Sequence, residues 1–395
     1  MDKTDILVIL AWPINRAMIN PFYLTGIIPG KYFCDREKET KTITSLLENQ
    51  GNVLLTSARK MGKTQIIRHV FDQDEIKDNY YTFYVDIYSA TSLREMVFFL
   101  SKEIYQRLVP RGKRALNRFL GVVKSITAAF SLDPVSGNPR ISLQLGDITT
   151  PELTLEEIFD YLEAADKPCL FAIDEFQQIA RFPEKNIEAL LRTHIQKMNN
   201  CQFIFSGSDR HILEQMFSSY SKPFYNSAQP LFLDRIPKEK YVGFVIGCFA
   251  ESGREIDPAA VSYCYDLFDG YTFYMHKVFH DLFARDTEFR LIGKDLVSET
   301  VDAILGEGEH SYREQMASLS TVQKQVLVAI AKVGTVSQPT SGGFIKRNSL
   351  PSSSSVQKAM ISLMESQYVT YQMIDSKRSY LMTDKFLELW LRLTY

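Results

Sequence analysis

Gly62-Lys63-Thr64 follows the apolar run Val53-Leu54-Leu55-Thr56 and precedes the helix-like stretch Gln65-Ile66-Ile67-Arg68-His69-Val70-Phe71. Strand, small-residue loop and helix N-terminus form the context in which backbone N–H groups converge on a phosphate. Ser57, Ala58, Arg59, Lys60, Met61, Gly62, Lys63, Thr64 and Gln65 are therefore the candidate phosphate-loop contacts. Lys63 would bring a mobile positive charge to the β- and γ-phosphates, and the Thr64 hydroxyl would complete the shell of a Mg²⁺. Ser57 stands where the usual pattern opens with glycine. Serine tolerates positive φ less well, so a slightly tighter loop is expected.

Two more apolar runs end in groups that suit the same chemistry. Cys169-Leu170-Phe171-Ala172-Ile173 ends in Asp174-Glu175. An aspartate at a buried strand tip beside the phosphate loop can hold the water shell of Mg²⁺. A glutamate directly after it is placed to act as general base on an attacking water. Cys201-Gln202-Phe203-Ile204-Phe205 ends in Ser206-Gly207-Ser208-Asp209-Arg210. Ser206 or Ser208 would sense the γ-phosphate. Arg210 would stabilise developing charge in cis or across an oligomer interface, or else cap the following helix or pair with an acid. Three strand tips bearing these groups in order predict a P-loop ATPase, with Lys63, Glu175 and Arg210 as catalytic candidates and Thr64 and Asp174 as the metal pair.

Those groups need a scaffold. The run from Tyr80 to Asp86, rich in aromatic and β-branched residues, predicts another buried strand, and Ser92 to Leu108 a helix. Strands alternating with helices predict an α/β parallel sheet with helices on both faces. A helix is expected from the Phe33–Glu39 segment to about Leu47, with Asp35 as its N-cap. Residues 104–132 carry Arg107, Arg111, Lys113, Arg114, Arg118 and Lys124 and no acid, ahead of the alternating Arg140–Leu145. This reads as an inserted basic helix and hairpin, either a solvated helix or an electrostatic contact surface. Lys238 to about Leu305 reads as helices only, a small lid over the nucleotide.

From about Ser318 the pattern is helix, loop, a helix capped by Ser352–Ser355, then two strands about a turn at 375–378, which is a winged helix-turn-helix order. Residues 318–395 hold nine Lys/Arg and four Asp/Glu, +5 formally, which leaves −7 for residues 1–317 of the total −2. Lys358 is the one basic residue of the would-be recognition helix, so DNA contact and protein contact stay open as uses of this module.

The chain has 395 residues, 45% hydrophobic and 23% charged, enough for two or three domains with a sizeable core. No apolar run reaches spanning length, and Ile6–Trp12 is short and follows Asp2 and Asp5, a poor signal peptide. Five scattered cysteines suit reduced thiols in a cytoplasm, and His276 and His280 read as helix surface or core, not metal ligands. The expected organisation is a lead-in over 1–31, the ATPase domain over 32–235 with its insertion at about 109–147, the lid over 236–310 and the winged helix over 311–395.

Phe33-x-x-Arg36-Glu37-x-Glu39, Arg59-Lys60-Met61-Gly62-Lys63-Thr64, Ile173-Asp174-Glu175 and Phe205-Ser206-Gly207-Ser208 together resemble the archaeal-type ATPases, in the STAND branch of the AAA+ superfamily, with similar proteins common in Bacteroidetes. The resemblance implies an ATP- and ADP-binding, Mg²⁺-dependent regulatory switch whose lid and winged helix rearrange on nucleotide exchange or hydrolysis. It also implies that Arg59 and Lys60 help form the loop. Relatives tend to carry Gly-x-Pro near the adenine, whereas this chain has Gly270-Tyr271-Thr272. The alternative is a nucleotide-gated DNA-binding regulator or an interaction scaffold with negligible turnover. The expected partners are ATP, duplex DNA held weakly by the winged helix, and a protein partner or a second copy of the chain, with no membrane.

Overall fold

The computed structural model describes residues 19–108, 119, 121–125, 129–132, 139–142, 144–145, 148–285, 291–374 and 377–395. The expectations for Ile6–Trp12, for Arg111, Lys113, Arg114 and Arg118, and for Asp375 fall outside them. The chain divides into two compact units. One comprises Ile27–Pro237 with Gly270–Phe273; the other comprises residues up to Gly26, Lys238–Asp269 and Tyr274–Tyr395.

The first unit is built on a five-stranded sheet. Its strands are β1 (Val53–Thr56), β2 (Tyr81–Asp86), β5 (Cys169–Asp174), β6 (Cys201–Gly207) and β7 (Gln229–Phe232); β3 (Ala129–Leu132) and β4 (Pro139–Ser142) form a separate antiparallel hairpin in the insertion. The sheet order is β2-β5-β6-β1-β7, with every pairing parallel. Side chains alternate between faces along a strand. Phe83, Phe171, Phe203 and Phe205 enter one core, whereas Val53, Leu55, Leu170, Ala172 and Ile204 enter another with Ile43, Ile66 and Val70. Both faces are thus covered, which is why the strands read as unbroken apolar runs. Register pairs Thr56 with Gly207, Ile173 with Phe205 and Asp86 with Asp174, so the polar ends of four strands meet at one sheet edge. Sequential strands β1 and β2 are not neighbours, and the crevice left beyond such a switch is where open α/β sheets bind ligands.

The helix predicted after Phe33 spans Glu37–Glu48, but Asp35 does not cap it. Arg36 occupies the N-cap in left-handed conformation (φ 81°), following Asp35, also left-handed (φ 56°), and no side chain caps the first turn. The buried Arg36 guanidinium holds this turn instead, donating to Glu39 Oε1 (2.7 Å) and to the Asp234 carbonyl.

The second unit holds helices Lys238–Glu251, Pro258–Leu267 and Lys294–Ser318, the helix Thr272–Ala284 from Tyr274 on, and one departure from the all-helical expectation. Short strands β8 (Glu255–Ile256) and β9 (Leu291–Ile292) pair in parallel. Among the described residues the lead-in forms no helix or strand before Gly30 but is anchored at Phe22. Phe22 is fully buried among Phe244, Phe249, Phe279 and Phe283, and its carbonyl and Asn20 both bond to His280. His276 is a core residue bonded to the Tyr241 hydroxyl (3.0 Å).

The winged helix follows. Ser320 and Gln323 form a reciprocal capping box on helix Thr321–Val333, and Ser341 and Ser352 cap helices Gly342–Arg347 and Ser353–Glu365. β11 (Val369–Ile374) and β12 (Lys377–Met382) form the wing, with β10 (Thr335–Val336) as a third strand on β12. Lys377 and Arg378, expected in the turn, begin β12. A last helix, Lys385–Thr394, packs Trp390 against Tyr312, and Phe386 meets Phe268 and Tyr274.

Candidate nucleotide site

β1 delivers the chain into the loop 57–62, and helix Lys63–Phe71 starts directly after Gly62. Left-handed backbone occurs in the loop at Lys60 (φ 66°) and Gly62 (φ 93°). Ser57 is not left-handed, so the expected cost of replacing glycine there does not arise. Ser57 is buried and useful, since Lys63 Nζ lies 3.2 Å from its Oγ and 3.5 Å from its carbonyl. Burial pushes the Lys63 pKa down. The charges of Glu175 and Asp174 oppose that shift, and Arg59 adds to it. A phosphate at the loop would oppose the shift by adding anionic charge beside the ammonium.

Asp174 stands at the tip of β5 between both neighbouring strands. Its Oδ2 accepts from Thr64 Oγ1 (3.0 Å) and the Tyr84 hydroxyl (2.6 Å). Its Oδ1 accepts from Ser206 Oγ (2.6 Å) and the Glu175 N–H (3.0 Å). Both carboxylate oxygens are thus fixed, with the Thr64 oxygen alongside. Hard oxygen donors of this kind fit Mg²⁺, which keeps most of its waters and takes one or two protein groups plus phosphates. Among the described residues no group of three or more His, Cys, Asp or Glu could hold a metal, so phosphate and water would have to supply the remaining ligands. Burial and the Asp174 charge push the Tyr84 pKa up, which keeps its hydroxyl a donor.

Glu175 is itself left-handed (φ 54°, ψ 39°), the N-cap of the 3₁₀ helix Phe176–Arg181. Its Oε2 accepts from Ser208 Oγ (2.9 Å) and from Gln177 Nε2. Arg59 Nε makes a long contact to Ser208 Oγ (3.4 Å), linking the phosphate loop to the tip of β6. The structure therefore brings Ser57, Arg59, Lys63, Thr64, Asp174, Glu175, Ser206 and Ser208 into one network. Arg210 is directed elsewhere. It pairs with Glu214 one turn on (2.6 Å) and lies over the Phe232 ring, while Asp209 caps its helix.

Sequence reasoning missed Tyr84, Gln177 and Phe273. Tyr84 reaches Asp174 from a neighbouring strand, and Gln177 follows Glu175 by two; neither sits in a recognisable motif. Phe273 donates its N–H to the Lys60 carbonyl (3.1 Å), and Lys60 Nζ lies 3.9 Å from the Phe273 ring centre. The Gly270–Phe273 segment that lacks the relatives' proline is thus fastened to the phosphate loop.

Comparison with known proteins adds the following. Residues 33–278 match the family described as "ATPase domain predominantly from Archaea", and residues 310–393 match "Probable winged helix domain". Among curated proteins none matches. Of solved structures, the Walker-type ATPase PABY2304 of Pyrococcus abyssi is similar at 17% identity and TM-score 0.63, over 94% of this chain and 99% of that one. The ORC2 protein of Aeropyrum pernix, in ADPNP–ADP complexes, is similar at 13% identity and TM-score 0.56, over 95% and 98%. The ORC1 protein of the same organism, in complex with DNA, is similar at 13% identity and TM-score 0.50, over 92% and 93%. At these identities the likeness is one of fold.

Proposed function

Since this chain belongs to the family of ATPase domains found predominantly in Archaea and carries a winged helix after that domain, we propose that it is an ATP-hydrolysing regulatory switch of the STAND type. The observation that carries the reading is the network at the strand tips, in which Thr64 and Asp174 stand 3.0 Å apart beside a second carboxylate. In this reading the loop 57–65 cradles the phosphates of ATP or ADP and Lys63 neutralises them. Thr64 and Asp174 would hold a Mg²⁺, which would offset phosphate charge there. Glu175 takes a proton from the attacking water, and Ser206 and Ser208 report the γ-phosphate through the carboxylates they touch. Arg210 would have to leave Glu214 to reach a phosphate or a neighbouring copy.

The domain division is part of the same proposal: ATPase 32–235, lid 236–310, winged helix 311–395. ATP and ADP would favour different arrangements of the latter two. A second reading, nucleotide-gated DNA contact, is favoured by the +5 balance of residues 318–395 and by the DNA complex of the similarly folded ORC1. The test is titration calorimetry with MgATP on the wild type and Lys63→Ala. Binding by the first and its loss in the second, at unchanged melting temperature, is expected. Equal affinity would remove the phosphate loop from the account.

A further inference from the structure

The Glu175 carboxylate is held on one side only. Its Oε2 receives both Gln177 Nε2 and Ser208 Oγ, and no hydrogen bond among the described residues engages Oε1. Gln177 is buried, at 3% of its open accessibility, in the first turn of the 3₁₀ helix after β5. A carboxylate only accepts, so the amide must turn its NH₂ toward Glu175, and its own Oε1 is left buried without a partner. Such an orphaned acceptor is costly and is retained where another interaction demands it. The amide oxygen lies against Gly207, the residue before Ser208. A Cβ at Gly207 would collide with Gln177 Oε1 and approach Leu213 Cδ1 at 2.9 Å. Gly207 is extended strand backbone with no positive φ, so its missing side chain serves space rather than conformation.

We propose that Gln177 is the positioning residue for Glu175, accommodated by Gly207, and that it anchors Oε2 so that Oε1 faces the attacking water. This rests on Glu175 being the general base. In the step served, Glu175 Oε1 takes a proton from water and the water oxygen bonds to the γ-phosphorus. The bond from that phosphorus to the β–γ bridging oxygen breaks, and its electron pair leaves with ADP. Gln177 touches neither water nor phosphate. It acts by fixing the carboxylate, whose left-handed backbone already limits where the side chain can point.

The test is a cycle of Gln177→Ala, Gly207→Ala and the double variant in the full chain, with folding checked by melting temperature. Gln177→Ala should lower kcat about tenfold or more with KM for ATP unchanged, because geometry and not binding is lost. Gly207→Ala should cost kcat alone by displacing the amide, and little more once Gln177 is alanine. A wild-type kcat or a raised one in Gln177→Ala, with Glu175→Gln inactive, overturns the proposal and leaves the ATPase reading standing. If the wild type turns over no ATP, the ATPase reading falls and this proposal with it.

Discussion

Lys63 shows how far residue type alone carries and where it stops. Gly-Lys-Thr after an apolar run points to a phosphate site, and Asp174-Glu175 is expected to supply a metal ligand and a base. The sequence does not show that the fold buries the Lys63 ammonium and lowers its pKa. A consequence can be measured. Phosphates would restore the charged form, so above the depressed pKa nucleotide binding must take up a proton, and affinity must fall as pH rises through it. Calorimetry in buffers of different ionisation enthalpy should show proton uptake that grows as pH rises through the depressed Lys63 pKa and vanishes in Lys63→Arg. Tyr84 was illegible because it belongs to Asp174 only through the β2–β5 register, a cross-strand relation with no local pattern. Tyr84→Phe removes one of four donors to Asp174. It should weaken the Mg²⁺ dependence of ATP binding less than Asp174→Asn does, as a titration of affinity against Mg²⁺ would show.

At the scale of elements, buried strands and capped helices were legible because they rest on short-range rules. Apolar runs mark a sheet covered on both faces, and Ser352–Ser355 ahead of apolar periodicity mark the start of helix Ser353–Glu365, whereas helix Gly342–Arg347 falls where a loop was expected. The Asp35 cap failed because the turn is set by a buried arginine whose partner, Asp234, is 198 residues away. Phe22 was unreadable for the same reason. The last helix holds another long-range arrangement. Buried Glu388 accepts from Lys385 (2.6 Å) and Arg392 (2.7 Å), and Arg392 Nε also reaches the Ala331 carbonyl. Glu388→Ala would remove the buried carboxylate that Lys385 and Arg392 share, a loss of about 3–5 kcal/mol. Thermal unfolding of the full chain should register that loss as a lowered transition, with a smaller loss for Arg392→Ala, whose side chain is partly exposed.

At the scale of the whole molecule, charge is divided unevenly, +5 in residues 318–395 against −7 before them. β12 opens with Lys377 and Arg378, the latter lying over the Tyr371 ring, while the helix Ser353–Glu365 offers Lys358 alone. Phosphate contact without base reading is the expected result. Fluorescence anisotropy should show weak duplex binding that falls steeply with salt, is insensitive to sequence, and is reduced by Lys377→Glu with Arg378→Glu. Absence of binding at low salt would leave the winged helix to a protein partner.

The central claim is that the cluster at the strand tips hydrolyses ATP. Single-turnover hydrolysis of saturating MgATP, wild type against Glu175→Gln, tests it most directly. The account predicts conversion to ADP and phosphate by the wild type, and a rate at least ~100-fold lower in the variant at unchanged ATP affinity. Equal rates in the two proteins, or no turnover by the wild type, would contradict it.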